Sequence, residues 1–280
     1  MDFDFDFLET VIEDRVLYVT IAAPPINVIT LELLREIRDL ANELEVATKD
    51  LSVVVFRSAD PDFFLAHFDI EALQAIPMVE SSEVEVVNRP SGFQRICEQF
   101  RQMGVISIAE IDGRVGGGGA ELAASFDMRF GSREKMVLSQ MEVPLGLIPG
   151  GSGTQRIPRL VGRGRAMEIV CGGVDIDAQT AAEWGWLNRA LPSAMLGDYV
   201  DRLAGRIATF PPHAVRAGKA SVLAAGGDPT EGLIVERQIF DETMNQSATR
   251  QRLQTFMDRG GQTRESELKI EQLTADLVDS

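Results

Sequence analysis

Residues 112–132 read DGRVGGGGAELAASFDMRFGS. Four consecutive glycines, Gly116 to Gly119, run into a segment of helical character with a glutamate, Glu121, near its start. Glycine loses more conformational freedom on folding than any other residue, so a run of four in an ordered segment needs a reason. The stretch before it, VISIAEI (105–111), reads as a strand, which sets the glycines between a strand and a helix. Glycine lets a backbone approach a ligand closely. A helix N-terminus adds unpaired N–H groups and partial positive charge. Two phosphate-binding motifs do not match. A P-loop follows its glycines with Lys-Ser/Thr, whereas Ala120-Glu121 stands here. A dinucleotide fingerprint spaces its glycines near the start of a βαβ unit. The remaining chemistry is an oxyanion hole, with backbone N–H groups stabilising charge on a carbonyl oxygen and Glu121 acting as a general acid or base. On these residues alone a second reading stays open: close strand–helix packing with a solvated first-turn glutamate.

Working outward, RVLYVTIA (15–22) and SVVVFR (52–57) read as strands, the second apolar enough to be buried on both faces. Between them Thr30 is a candidate N-cap, with Leu34, Ile37, Ala41 and Leu44 at helical spacing as far as Ala47. Residues 59–90 are less regular. A helix over about 91–103 carries Phe93, Ile96, Cys97 and Phe100 on one side. MRFGS (128–132) and MVLSQ (136–140) read as short strands, PLGLIPGGSGTQR (144–156) as a glycine-rich loop, and 163–171 and 178–184 as helices. From Ser193 the chain is helical: 193–208, 212–225, 229–244, 247–259, then a charged amphipathic tail with Ile270, Leu273 and Leu277 at helical spacing. The tail is read as a helix lying on a neighbouring surface, with a subunit interface as one option. Strands with helices first and helices last give an α/β core, 1–192, with a helical region, 193–280.

The net charge of −16 opposes nucleic acid, which needs phosphate neutralisation, and opposes an anionic membrane surface. No apolar run is long enough to span a bilayer. The acidic start MDFDFDFLET is unlike a signal peptide, so a cytoplasmic location is expected. Cys97 and Cys171, far apart and without a CxxC partner, imply buried structural thiols rather than a disulfide or zinc site. Two histidines cannot build a histidine-rich metal site.

IAEIDGRVGGGGAELAASFDMRFGS resembles the signature segment of the crotonase (enoyl-CoA hydratase/isomerase) superfamily. DFFLAHFDI (62–70), MEVPLGLIPGGSGTQRIPRLVGRGRAMEIVCGG (141–173) and DAQTAAEWGWLNRALP (177–192) match further family segments in order. The resemblance covers roughly residues 12–260. It implies a crotonase-like spiral of strand–strand–helix units with a C-terminal helical trimerisation region, forming a homotrimer or homohexamer. It implies an acyl-CoA thioester as substrate, with coenzyme A part of that substrate and no separate cofactor or metal. By position, the oxyanion donors are the backbone N–H groups of Phe68 and Gly118, and the paired carboxylates are Glu121 and Glu142. Ala66, His67, Asp69 and Gly117, which flank the donors, are the substrate-contact candidates. The implied reaction is addition of water to a 2-enoyl-CoA. Glu121 assists the attack at the β-carbon. Glu142 helps activate the water and delivers a proton to the α-carbon. Isomerisation, hydratase/retro-aldol cleavage of an aryl-propenoyl-CoA, thioester hydrolysis and non-catalytic acyl-CoA binding are the alternatives.

The chain departs from the family at Ala66-His67-Phe68, where small residues are usual. His67 is read as a packing or hydrogen-bonding residue, with a third acid/base group as the other option because imidazole titrates near neutrality. The first long helix has no Lys or Arg before Arg35 to meet coenzyme A phosphates. Arg57 and Lys219 are possible substitutes, read first as solvated charges. Trp184 and Trp186 are read as apolar packing, Asp69 as the cap of the next helix, and Asp127 as structural.

Overall fold

The computed structural model describes residues 4–47, 50–77, 89–228, 230–275 and 277. In chain order the strands are β1 (Leu8–Glu13), β2 (Val16–Ile21), β3 (Val53–Ser58), β4 (Phe63–Leu65), β5 (Ile106–Ile111), β6 (Arg114–Gly116), β7 (Met128–Ser132), β8 (Val137–Ser139), β9 (Ile176–Asp177) and β10 (Arg189–Leu191). Six form one sheet in the order β1-β2-β3-β5-β7-β10, and four short ones a second in the order β4-β6-β8-β9. Neighbours are parallel except β1/β2 and β8/β9. From β3 onward the chain visits the long sheet, then the small sheet, then a helical segment. The pairs β3-β4, β5-β6 and β7-β8 are three turns of one spiral, the architecture that the resemblance implies.

Alternation along β3 explains how both faces are buried. Val54 and Phe56 point into the main core with Leu17, Val19, Ala109 and Ile111. Val53 and Val55 point to the opposite face, which Leu196, Val200 and Ala204 of the helix Ser193–Ala208 cover. The helix Leu31–Val46 begins at Thr30, whose Oγ1 accepts from the Leu33 N–H at 3.2 Å. It buries Leu33, Ile37, Leu40, Ala41 and Leu44, while Leu34 turns toward a cavity described below.

Several expectations are revised. The loop 144–156 ends in a helix, Gly153–Val161, that carries Pro158 inside it. The tail packs on its own chain: Ile270 and Leu277 join Met141, Leu145, Leu253 and Phe256 in a third apolar cluster. Of the irregular stretch 59–90, residues 78–88 lie outside the described residues. Cys97 is buried, and burial pushes its thiol up to about 12, but Cys171 is exposed. Lys219 is not solvated. It donates to Asp127 Oδ2 (2.7 Å) and to the carbonyls of Val105 (2.9 Å) and Phe100 (3.3 Å). Asp127 also accepts from the Ser107 N–H and hydroxyl, which gives it the expected structural place. Arg57 is bound to Glu110 and Asp201. Trp186 is fully buried beneath Arg129. Among the described residues no helix is long and apolar enough to cross a membrane.

Candidate active site

Each glycine of the run meets a different demand. A Cβ on Gly116 would lie 2.6 Å from the Ala66 carbonyl oxygen, and one on Gly119 would lie 2.5 Å from that of Leu65. Only hydrogen atoms at these positions let β4 and the following loop lie against the start of the helix Gly117–Ser125. Gly117 has φ of 42°, in the region L side chains avoid, and its Cβ position is 2.9 Å from His67 Cβ and 3.1 Å from Glu142 Oε1. Gly118 faces Phe68, with its Cβ position 3.4 Å from the Phe68 nitrogen. The N-cap, Gly116, has no side chain to bond the first-turn N–H groups. A helix leaves those groups without an internal partner, and the Gly118 N–H is one of them.

Phe68 reaches the same place by another route. Ile29 N–H donates to the His67 carbonyl (2.8 Å), and Asp69 N–H donates to the Ile29 carbonyl (3.1 Å). This parallel bridge occupies one edge of the extended segment 67–69. Successive residues of an extended chain address opposite edges, so the Phe68 N–H points the other way, toward Gly118.

The two amide-bearing residues line a cavity of about 270 Å³ with Glu121, Glu142, Phe93 and Phe240. Glu121 is buried on the signature helix, and its Oε1 accepts from the N–H groups of Gly151 (2.8 Å) and Gly153 (2.6 Å). These donors come from the loop GGSGT, where Ser152 adopts φ of 111° and is tied down by Arg156 Nε at 2.8 Å. Glu142 sits at the start of a 3₁₀ turn, Val143–Leu145, and its Oε2 is buried with no hydrogen-bond partner among the described residues. Burial, and then the charges of Glu142 and Glu236, raise the Glu121 carboxyl well above the ordinary range. Burial pushes Glu142 up to about 7, opposed by its own backbone N–H and by His67. Two buried carboxylates lining one cavity resist double ionisation, so the pair retains a proton near neutrality.

A third buried carboxylate was not legible in the sequence. Glu236, on the helix Thr230–Met244, accepts from Thr154 N–H (2.8 Å), from the Thr154 hydroxyl and from Gln94 Nε2 (3.1 Å). Glu121 and Glu236 thus share the N-terminal donors of one helix, Gly153–Val161. Nothing in the local pattern of a charged amphipathic helix marks Glu236 apart from its exposed neighbours. A larger hollow of about 450 Å³ borders Lys219, Arg129 and Arg156. Those cations are committed to Asp127, to backbone carbonyls and to Glu98.

The structure therefore brings Phe68, Gly118, Glu121 and Glu142 together. The other candidates stand behind the wall. Ala66 packs on Gly116, and Gly117 faces His67 and Glu142. Asp69 caps the helix Ile70–Gln74 by accepting from the Glu71 N–H at 3.0 Å. His67 is buried against Glu267, with Nε2 3.1 Å from Oε1.

With this geometry in place, the family model for enoyl-CoA hydratase/isomerase matches residues 11–265. The chain belongs to the enoyl-CoA hydratase/isomerase family. Within it, the chain is 30% identical over 254 residues to YngF of Bacillus subtilis, named as a candidate enoyl-CoA hydratase/isomerase, covering 90% of this chain and 95% of that one. The crystal structure of a candidate enoyl-CoA hydratase from Streptomyces avermitilis superposes with a TM-score of 0.89 at 35% identity, over 99% of this chain and 100% of the other. An enoyl-CoA hydratase from Bacillus anthracis gives 0.69 at 27% identity, over 91% and 97%. The match to the enoyl-CoA hydratase/isomerase model stops at residue 265, short of Glu267.

Proposed function

We propose that this chain adds water across the 2,3 double bond of an enoyl-CoA thioester. The observation that carries the reading is the meeting, in one cavity, of the Phe68 and Gly118 amides with two carboxylates of raised pKa. In the proposed reaction the thioester oxygen accepts from both amides. Water gives a proton to the ionised member of the carboxylate pair and bonds to the β-carbon. The π electrons move onto the thioester oxygen as an enolate, which collapses as the protonated member delivers its proton to the α-carbon. Two amides on Glu121 Oε1 favour its anion, whereas Glu142 Oε2 has no donor. Burial and the Glu142 and Glu236 charges act against that preference, so the pair shares one proton; in the proposed reaction Glu121 assists the attack and Glu142 delivers the proton to the α-carbon. An oxyanion donor is worth about 10²–10³ in rate, and a placed acid or base about 10²–10⁴.

Coenzyme A needs cations at its phosphates. A groove of about 460 Å³ shares Leu34 and Phe93 with the cavity and is bordered by Arg35, Arg38 and Arg95. These three arginines supply what the start of the first long helix lacks.

The test mixes the protein with crotonyl-CoA and cinnamoyl-CoA and follows the enoyl-thioester absorbance. The signal is expected to fall, and Glu121→Gln and Glu142→Gln each to slow that fall by about 10²-fold or more. Release of an aldehyde with acetyl-CoA, release of free CoA, or conversion of a 3-enoyl-CoA alone would replace hydration by another reaction of the family. Binding without turnover across a thioester panel would leave an acyl-CoA-binding protein.

A further inference from the structure

His67 is one of two histidines in the chain, and only 2% of it is exposed. Nδ1 is hydrogen-bonded to the Phe68 carbonyl oxygen at 2.9 Å, and Nε2 lies 3.1 Å from Glu267 Oε1, an ion-pair contact without hydrogen-bond geometry. A carbonyl oxygen only accepts, and so does an ionised carboxylate, whereas a neutral imidazole carries a single N–H. Glu267 Oε1 also accepts from the Gln262 N–H at 2.7 Å, which favours the carboxylate. An imidazolium suits both contacts: its Nδ1–H donates to the carbonyl, and its charge pairs with the buried Glu267 carboxylate.

Among the described residues, the charged groups that act most strongly on the pair come from separate elements. Glu267 faces His67 from the helix Arg264–Glu267, and Glu142 from the loop after β8; Phe256, on the helix Ser247–Asp258, offers an uncharged ring at 6.3 Å. Arg114 acts on Glu267 from β6. Burial opposes the charge on His67, but Glu267, the Phe68 carbonyl and Glu142 outweigh it and raise its pKa. Burial likewise opposes the Glu267 anion, and His67, Gln262 and Arg114 outweigh it, leaving its pKa lowered.

The tail that brings Glu267 is fastened on both sides of the Phe68 segment. Arg264 is paired with Asp60 (2.6 Å) and Asp62, and Gln262 Oε1 accepts from the Ile70 N–H at 2.6 Å. We propose that His67 is a positioning residue: clamped by Glu267 as a cation, it holds the Phe68 carbonyl, aims the adjoining Phe68 N–H into the cavity, and sets a positive charge beside Glu142. The C-terminal segment then completes a site whose reacting groups all lie upstream of it. The rate arm of the test rests on the hydratase reading; the spectroscopic arm does not.

Protein carrying ¹³C-labelled histidine shows two imidazoles, which His67→Gln assigns. The His67 resonance is expected to keep its imidazolium form to a pH above the ordinary imidazole range and, in Glu267→Gln, to titrate at a lower pH than in wild type. Glu271→Gln, which removes a tail contact to the Asp175 N–H (3.2 Å) away from His67, is expected to leave the resonance unmoved. With crotonyl-CoA, Glu267→Gln is expected to lower kcat about tenfold or more, part of the 10²–10³ that an absent oxyanion donor costs. KM should hold within about threefold because Glu267 does not line the cavity. A His67 resonance that titrates alike in wild type and Glu267→Gln overturns the clamp. An unchanged kcat in Glu267→Gln overturns the positioning role. If the wild type turns over no thioester, the hydratase reading fails while the resonance still decides the charge state. Where His67→Gln does not fold, Glu267→Gln and Glu271→Gln identify the signal by which one moves.

Discussion

Replacing Glu142 by Gln is expected to slow turnover by about 10²-fold or more and to let the protein gain stability on wild type as pH rises through neutrality. The Glu142 carboxyl is displaced from 4.5 to about 7 by its burial. Below pH 4.5 it is protonated in the folded and the unfolded chain alike, so ionisation contributes nothing to their difference. As pH rises, the unfolded chain ionises first and the folded one only near 7. The folded state therefore loses stability across that window and the loss is complete above it. A displacement of this size is worth about 3 kcal/mol. Gln cannot ionise, so the variant escapes the loss. Its amide would occupy the place of Oε2, which has no partner, and an unmet buried donor costs about 1–3 kcal/mol at every pH. The absolute difference between the two proteins thus depends on two opposing terms. Its change with pH is set mainly by the ionisation of Glu142. Urea unfolding of both proteins at pH 5 and pH 8 should show the variant gaining on wild type by about 2–3 kcal/mol between the two conditions. Relief of Glu121 from its neighbour's charge acts in the same direction. A gap that stays constant, or that narrows with rising pH, would falsify the account of a buried, proton-retaining pair. So would a variant that hydrates crotonyl-CoA at the wild-type rate.

Two further outcomes concern stability alone. Gly119→Ala places a methyl 2.5–2.6 Å from Leu65 atoms that include its backbone oxygen; overpacking of about 1–3 kcal/mol outweighs the gain of up to about 1 from helix propensity, and the urea midpoint should fall. Lys219→Met strips the buried partner from Asp127 and should cost about 3–5 kcal/mol, with part of it recovered when Asp127→Asn is added; equal midpoints for the single variant and wild type would refute the buried pair.

How much of this was legible depends on what each residue answers to. β2 follows from a weak alternation, β3 and β5 from continuous apolar runs that meet a core on both faces, and the helix Ser193–Ala208 from its helical spacing of apolar residues. β4, β6 and β9 are too short to show a period, and pairing across the small sheet makes them strands. The helix Gly153–Val161 was hidden by its composition: Gly153 and Pro158 disfavour a helix locally, and tertiary contacts through Arg156 and Glu121 override them. At the site, the glycine run announces itself because backbone sterics demand it, whereas Glu121 and Glu142 become legible only through the family resemblance. Glu236, Lys219 and Glu267 do not, since each owes its role to a partner more than ninety residues away, with nothing local to mark it.

The strand order has a consequence during synthesis. β10 closes the long sheet by pairing with β7, and it is made about 60 residues later, a delay of roughly 3–12 s at ordinary rates of translation. For that interval a nascent chain presents the Met128–Ser132 edge with its hydrogen-bonding groups unfilled, immediately after the signature helix has been made. An edge left open in that way favours association with another copy, and substitutions that weaken β10 should lower the yield of folded protein more than they lower the stability of what does fold.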